Sequence, residues 1–173
     1  RDIPITTLAD DTSDTLTSSD GNFEYQIILN DRGKTYGEIT KYLENDSSIV
    51  LPAEIDGCKI VGVSCSVKAA KNVTISEGIE YISGLFYTKS DVVVNLPSTL
   101  KYICKRTFYY TDIKSINFPE GLQAIAEEAF YGVNFTNTNI TLPESLEYLE
   151  YKAFTSCDIT SVSIGSKTQI GIS

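Results

Sequence analysis

The stretch ITLPESLEYLEYKAF, residues 140–154, decides the fold because the chain repeats it. INFPEGLQAIAEEAF at 116–130 and VNLPSTLKYICKRTF at 94–108 carry the same pattern, and shorter versions begin at Ile49, Val73 and Val162. The positions that align with Pro143 are separated by steps of 24, 21, 22, 24 and 22 residues. Self-similarity at this spacing predicts a solenoid in which each coil stacks on its neighbours.

The apolar positions within one unit predict its local structure. In every unit the first and third residues before the aligned position are apolar, as in Ile140 and Leu142, and the residue between them is polar in most units. This period of two predicts a strand with one buried and one exposed face. In the four central units an apolar pair follows three and six residues after the aligned position, whereas the pair is displaced in the first unit and absent from the last. Five residues beyond the second member stand Phe108, Phe130 and Phe154, which we expect to stack as an interior column.

These residues resemble the BspA-type, or treponemal-type, leucine-rich repeat, whose units read roughly apolar-x-apolar-Pro, Leu-x-x-Ile and Ala-Phe-x-x-Cys. Residues 23–63 resemble the first module of many such proteins, and the resemblance extends to about residue 165. It implies a curved solenoid of the leucine-rich-repeat horseshoe type, mainly β, with short helical or turn returns and an N-terminal β-hairpin cap. The coil at 63–73 departs from the pattern because it is short and lacks the Ala-Phe pair.

Composition divides the chain into two parts. Residues 1–22 are crowded with Asp, Ser and Thr, which predicts a flexible tether. Residues 23–173 form the leucine-rich-repeat domain, with the hairpin cap at 23–48, the repeats at 49–165 and an irregular end at 166–173. The turn residues at 30–33 connect the two strands of the hairpin. The chain begins without Met, and we expect that any export signal has been removed.

Charge and composition exclude several classes of function. A net charge of −9 and a pI near 4.5 disfavour nucleic acids and anionic membranes as partners. No apolar run approaches the roughly 18 residues that span a bilayer. With no His in the chain, neither a Ser-His-Asp nor a Cys-His arrangement can be assembled, and the four cysteines are too widely and irregularly spaced to match a zinc pattern. We therefore expect no catalytic residues, no cofactor and no metal, and we interpret the neighbours Glu127 and Glu128 as solvated surface.

The four cysteines allow two interpretations. In the first interpretation, all four are small buried hydrophobic residues: Cys58, Cys65, Cys104 and Cys157. In the other, Cys58 and Cys65 form a disulfide.

Two sets of side chains are candidates for ligand binding. The first is a ladder of small uncharged residues on the open strand face: Asn72, Thr74, Asn95, Ser115, Asn117, Asn139, Thr141, Ser161 and Ser163. Repeated donors and acceptors on a rigid sheet suit an extended partner, although simple solvation also explains them. The second set is Tyr81, Tyr102 and Tyr148 at one repeat offset. Tyrosine is favoured at interfaces, and it also serves to cover strand edges.

The leading hypothesis is a non-catalytic module that binds a protein on a host or neighbouring cell, or in the matrix. The family resemblance implies a bacterial cell-surface or secreted location and a role in adhesion. One alternative is a carbohydrate-binding module that uses exposed tyrosines, so a glycan ligand stays open. Another is a structural spacer for a neighbouring domain.

Overall fold

The computed structural model describes residues 14–29, 35–84 and 86–171. All regular structure in these ranges is β-strand, and the strands are joined by turns. The returns between strands are therefore turns rather than short helices throughout the described ranges. The solenoid expected from the repeats is confirmed.

Three strands at the start of the described chain form an antiparallel group. They are β1 (Thr15–Thr17), β2 (Phe23–Leu29) and β3 (Thr35–Tyr42), with β2 pairing both of the others. The predicted tether includes residues 14–22, but this part of the chain contains β1, which pairs with β2. Ser18 is buried and its hydroxyl accepts a hydrogen bond from the backbone N–H of Phe23 at 2.9 Å. The rest of the predicted tether and the hairpin turn at 30–33 lie outside the described residues.

Short strands make up the rest of the described chain. In chain order they are β4 (Ser48–Leu51), β5 (Glu54–Ile55), β6 (Cys58–Val63), β7 (Asn72–Ile75), β8 (Tyr81–Ile82), β9 (Val92–Asn95), β10 (Tyr102–Ile103), β11 (Asp112–Ile116), β12 (Ala124–Ile125), β13 (Asn134–Phe135), β14 (Asn139–Thr141), β15 (Tyr148–Leu149), β16 (Ser161–Ser163) and β17 (Gln169–Ile170).

Most coils contribute one strand to each of two parallel stacks. The ladder sheet contains β4, β7, β9, β11 and β13 side by side. The return sheet follows β3 with β6, β8, β10, β12, β15 and β17, and its strands pair at the same register from coil to coil. Equal register at each step is the structural consequence of the repeat length, because equivalent residues must face equivalent neighbours.

A single apolar cluster contains the inward residues of both sheets. Val73 and Ile75 of the ladder sheet are buried, as are Ile82 and Ile103 of the return sheet. The last coil is the exception, because its Ile164 is 38% exposed although the alternation predicts burial. No coil within the described residues lies over that side chain.

The interior phenylalanine column forms as predicted. The rings of Phe108 and Phe130 stack with centroids 5.0 Å apart, and those of Phe130 and Phe154 stack at 4.9 Å. Phe86 extends the column by one coil, at 5.1 Å from Phe108. Phe86 falls outside the predicted column because it follows Ile82 by four residues, whereas the later phenylalanines follow the equivalent position by five.

The ladder sheet is interrupted where the sequence pattern predicts continuity. In the 24-residue step from Pro119 to Pro143, β13 pairs with β11, while β14 pairs only with β16 in a separate two-stranded sheet. The backbone N–H of Thr136 still donates to Ile113 at 3.0 Å, so the separation begins just after that residue. The extra residues of this long step are accommodated here.

Candidate functional site

The polar ladder occupies the outward face of the ladder sheet in two columns. Thr74 lies opposite Asn95 in the parallel register, and Asn72 and Ser115 both lie opposite Val93. Asn72, Asn95 and Ser115 are exposed, whereas Thr74 is half-buried. The outward columns also include Val50, which is 60% exposed, so the face combines small polar groups with exposed apolar surface.

Asn117 has a structural role. Its side-chain oxygen accepts from the backbone N–H of Leu96 at 2.8 Å, and its amide nitrogen donates to the Leu96 carbonyl at 2.9 Å. Both polar ends of Asn117 therefore bind the backbone of the preceding coil. Asn95 is engaged much less, since its amide makes a contact of 3.4 Å with the Thr74 hydroxyl.

The interruption after β11 divides the ladder into two patches. We call Asn72, Thr74, Asn95 and Ser115 the first patch. The second patch consists of Asn139, Thr141, Ser161 and Ser163 on β14 and β16. Within the second patch the Ser161 hydroxyl donates to Asn139 at 2.8 Å. The structure brings the predicted residues together within each patch, but it does not join them into one ladder.

The tyrosines of the second candidate set lie on the return sheet. Tyr81 and Tyr102 occupy equivalent positions on neighbouring strands, while Ala124 separates Tyr102 from Tyr148 in the same row. All three tyrosines are half-buried. They share a face of the sheet without forming the exposed aromatic row that ligand stacking requires.

Tyr81 makes an interior contact that the repeat pattern does not predict. Its hydroxyl donates to the carboxylate of Glu38, which is itself buried on β3. Burial, followed by the Glu38 charge, raises the pKa of Tyr81 well above its ordinary value. The Tyr81 ring occupies the space beside Gly62, where an added Cβ would come within 2.0 Å of the ring. The partners lie 43 residues apart, so no local pattern indicates the pair.

All four cysteines are free thiols, so the disulfide between Cys58 and Cys65 does not form. Cys65 is buried in the apolar interior, and burial raises the pKa of its thiol to about 12. Burial also raises the pKa of Cys58. Within the described ranges, no group of three or more Cys, Asp or Glu side chains comes together as metal ligands.

Glu127 and Glu128 each form an ion pair with the preceding coil. The Lys105 ammonium lies 2.8 Å from the Glu127 carboxylate, and the Arg106 guanidinium lies 2.6 Å from that of Glu128. Glu128 is buried, whereas the sequence analysis places it on the solvated surface. Its ion pair with Arg106 and its place in a tight turn with φ of 56° account for this burial.

Comparison with known proteins agrees with this architecture. The sequence profile of the BspA type Leucine rich repeat region matches residues 62–172 in six copies. The chain belongs to the BspA-type leucine-rich repeat family. The matched segment spans the stacked coils from the end of β6 to β17. The regular register of these strands therefore reflects the sequence repeat of this family.

Two solved structures are similar in fold to this BspA-type chain. A T. pallidum leucine-rich repeat protein is 18% identical with a TM-score of 0.56, and the match covers 90% of this chain and 86% of that one. A leucine-rich repeat protein from Bacteroides ovatus is 21% identical with a TM-score of 0.61, and the match covers 94% of this chain and 43% of that one. None of the curated proteins matches the chain. Among the described residues of this BspA-type chain, no helix is long and apolar enough to cross a membrane.

Proposed function

We propose that this BspA-type chain is a non-catalytic protein-binding module that acts in adhesion, on a bacterial cell surface or in secreted material. Membership of a leucine-rich repeat family supports a repeat module for protein interaction. Family members are commonly surface-associated, and this supports the surface location and the adhesive role that we propose. The partner is a protein on a host or neighbouring cell, or in the matrix.

The first patch is the surface that carries this proposal. Thr74 and Asn95 face outward side by side on strands that a parallel sheet spaces at about 4.8 Å. Small uncharged side chains on a rigid sheet offer donors and acceptors to a partner without the desolvation cost of burying charge. The exposed Val50 in the same column as Thr74 adds apolar contact area. An extended protein segment satisfies both requirements.

A binding experiment with two matched double variants tests the proposal. The probe is a panel of purified matrix and serum proteins immobilised on a sensor surface. Thr74→Arg with Asn95→Arg places two long charged side chains on the first patch. Thr141→Arg with Ser163→Arg makes the same change at paired, exposed positions of the second patch. Thermal unfolding checks that both variants fold.

We expect the unmodified chain to bind at least one protein of the panel. The first variant should weaken that binding by roughly tenfold or more, as the loss of central contacts does at interfaces. The second variant should retain it. Binding that survives the first variant, or a panel that gives no binding at all, contradicts the proposal.

A further inference from the structure

A cluster of tyrosines lies at a corner of the solenoid, away from both predicted sets. We call Tyr87, Tyr109, Tyr110 and Tyr131 the tyrosine platform. The rings of Tyr109 and Tyr131 stack at 5.3 Å between centroids with an interplanar angle of 16°. Tyr110 meets both of them edge-on, at 4.7 Å and 5.7 Å. Aromatic pairs at these distances and angles attract each other beyond simple area burial.

The repeat itself builds this platform. Tyr109 and Tyr131 directly follow Phe108 and Phe130, whose rings stack in the interior column. The backbone N–H of Tyr110 donates to the carbonyl of Tyr131 at 2.9 Å, which fixes the spacing of the two coils at this corner. The same spacing that stacks phenylalanines inside therefore stacks tyrosines outside.

The backbone at Tyr110 is unusual for an aromatic residue. Its φ is 53°, in the left-handed region that bulky side chains seldom adopt, and Gly132 has φ of 66° at the equivalent place in the next coil. A Cβ at Gly132 would come within 2.6 Å of the Tyr110 ring, so the absence of a side chain there lets the ring lie over it. Ser156 has φ of 59° at the same place in the coil after that, so the left-handed turn belongs to the repeat, and what distinguishes Tyr110 is the ring that it places there.

Two rings of the platform are exposed, whereas Tyr109 and Tyr131 are half-buried, and positive and negative groups balance around the rings. Tyr87 is 47% exposed and Tyr110 is 41% exposed. The Lys89 ammonium lies 5.9 Å from the centroids of both rings and 3.5 Å from a carboxylate oxygen of Asp112. The Arg106 guanidinium over Tyr109 is likewise paired with a carboxylate. Both of these cations thus have an anionic partner, and both signs of charge border the rings.

We infer that the tyrosine platform binds a neutral glycan. One face of a pyranose ring carries C–H groups that pack on an aromatic ring, while its hydroxyls both donate and accept hydrogen bonds. The paired Lys89 and Asp112 supply a donor and an acceptor at the edge of the rings. The net charge of −9 disfavours an acidic glycan. This site is independent of the protein-binding role proposed for the first patch.

Affinity electrophoresis tests the inference. The chain migrates through native gels that contain soluble starch, galactomannan, arabinoxylan or mixed-linkage β-glucan, with alginate as the acidic comparison. Tyr110→Gly removes the ring at a position whose φ glycine adopts without strain, so the relief of backbone strain offsets part of the lost ring contacts. Tyr87→Ala provides a second test if Tyr110→Gly lowers the melting temperature. Tyr151→Ser is the matched control, because Tyr151 is 37% exposed and carries Lys152 at 4.7 Å but lies outside the platform.

At least one neutral polysaccharide should retard the chain. Tyr110→Gly and Tyr87→Ala should each weaken the interaction by roughly tenfold, as the loss of an aromatic anchor does. Tyr151→Ser and the first-patch double variant should bind as the unmodified chain does, which separates this site from the protein-binding surface. The inference would be overturned if only alginate retards the chain, or if no neutral polysaccharide does. It would also be overturned if a neutral polysaccharide retards the platform variants as strongly as the unmodified chain.

Discussion

The inner and outer sides of the solenoid respond differently to the long repeat step between Pro119 and Pro143. On the outer side, the ladder sheet separates between β11 and β14. On the inner side, the column continues through the same coil, because Phe130 stacks with Phe108 on one side and with Phe154 on the other. Phe135, on the β13 side of the separation, packs 5.9 Å from Phe130.

This difference indicates where the repeat tolerates insertion. An extra residue on the outer side can turn its polar groups toward water, so a few lost strand hydrogen bonds cost little. A gap in the interior has no such compensation, because its lining atoms lose their packing partners. The extra residues therefore accumulate where the chain faces solvent, and the interior columns keep their spacing.

The largest expected effect comes from interrupting the interior column at its centre. Phe130→Ala should lower the free energy of unfolding by about 3 to 5 kcal/mol, because Phe130 is fully buried and contacts rings on both sides. Phe154→Ala should cost less, since Phe154 is only partly buried. Urea unfolding followed by far-ultraviolet circular dichroism measures both. Equal losses would mean that the column does not act as one continuous interior.

The next largest effect on stability is a difference between two asparagines of the outer face. Asn117→Ala should cost about 1 to 3 kcal/mol, because it leaves the N–H and carbonyl of Leu96 without their side-chain partner. Asn95→Ala should change stability by less than about 0.5 kcal/mol, as is usual for exposed surface positions. The same unfolding assay compares them. A similar cost for both variants would remove the distinction between a structural and a surface asparagine.

A smaller effect concerns the interior thiol at Cys65. Its pKa in the folded chain is about 12, against an ordinary value of 9.0, so the unfolded chain releases the proton first as pH rises. The stability contributed by the protonated thiol is therefore complete below pH 9 and is lost between pH 9 and about 12. Between pH 8 and pH 10 the loss should be about 1 kcal/mol. Cys65→Ala should lack this part of the pH dependence, and an identical profile in both proteins would contradict the assignment.

The smallest effect is expected for an ion pair between neighbouring coils on the exposed side of the return sheet. The Lys101 ammonium lies 3.0 Å from the Glu80 carboxylate, and both side chains are more than 40% exposed. Lys101→Ala should change the free energy of unfolding by no more than about 0.5 kcal/mol at moderate salt, because water and ions screen such a pair. A loss comparable to that of Phe130→Ala would show that outer contacts hold the coils together.

The parts of the fold that repeat could be predicted from sequence. Equivalent apolar residues such as Leu100 and Leu122 recur at one offset, so their burial follows from the period alone. The interruption after β11 could not be predicted, because the Asn and Thr residues at 137–141 resemble an uninterrupted continuation of the ladder. Asn and Thr both suit an exposed strand position, whether or not that strand is hydrogen-bonded to the strand of the preceding coil.

The candidate sites show the same limit. The ladder positions could be read from the alternation, but the engagement of Asn117 depends on a backbone 21 residues away. Three members of the tyrosine platform recur at one offset, directly after the phenylalanines of the interior column: Tyr87, Tyr109 and Tyr131. Tyr110 does not recur, and its place beside them follows from its turn and the space left by Gly132, neither of which the spacing reveals.

The amino-acid sequence by itself determined the solenoid, its strands and its interior columns, because a repeated pattern can bury its apolar face only by stacking on copies of itself. Tertiary structure alone decided which outward side chains are available to a partner. Burial of an apolar residue depends on its local period, whereas the freedom of a polar group depends on the backbone and side chains that neighbouring coils bring within hydrogen-bonding distance.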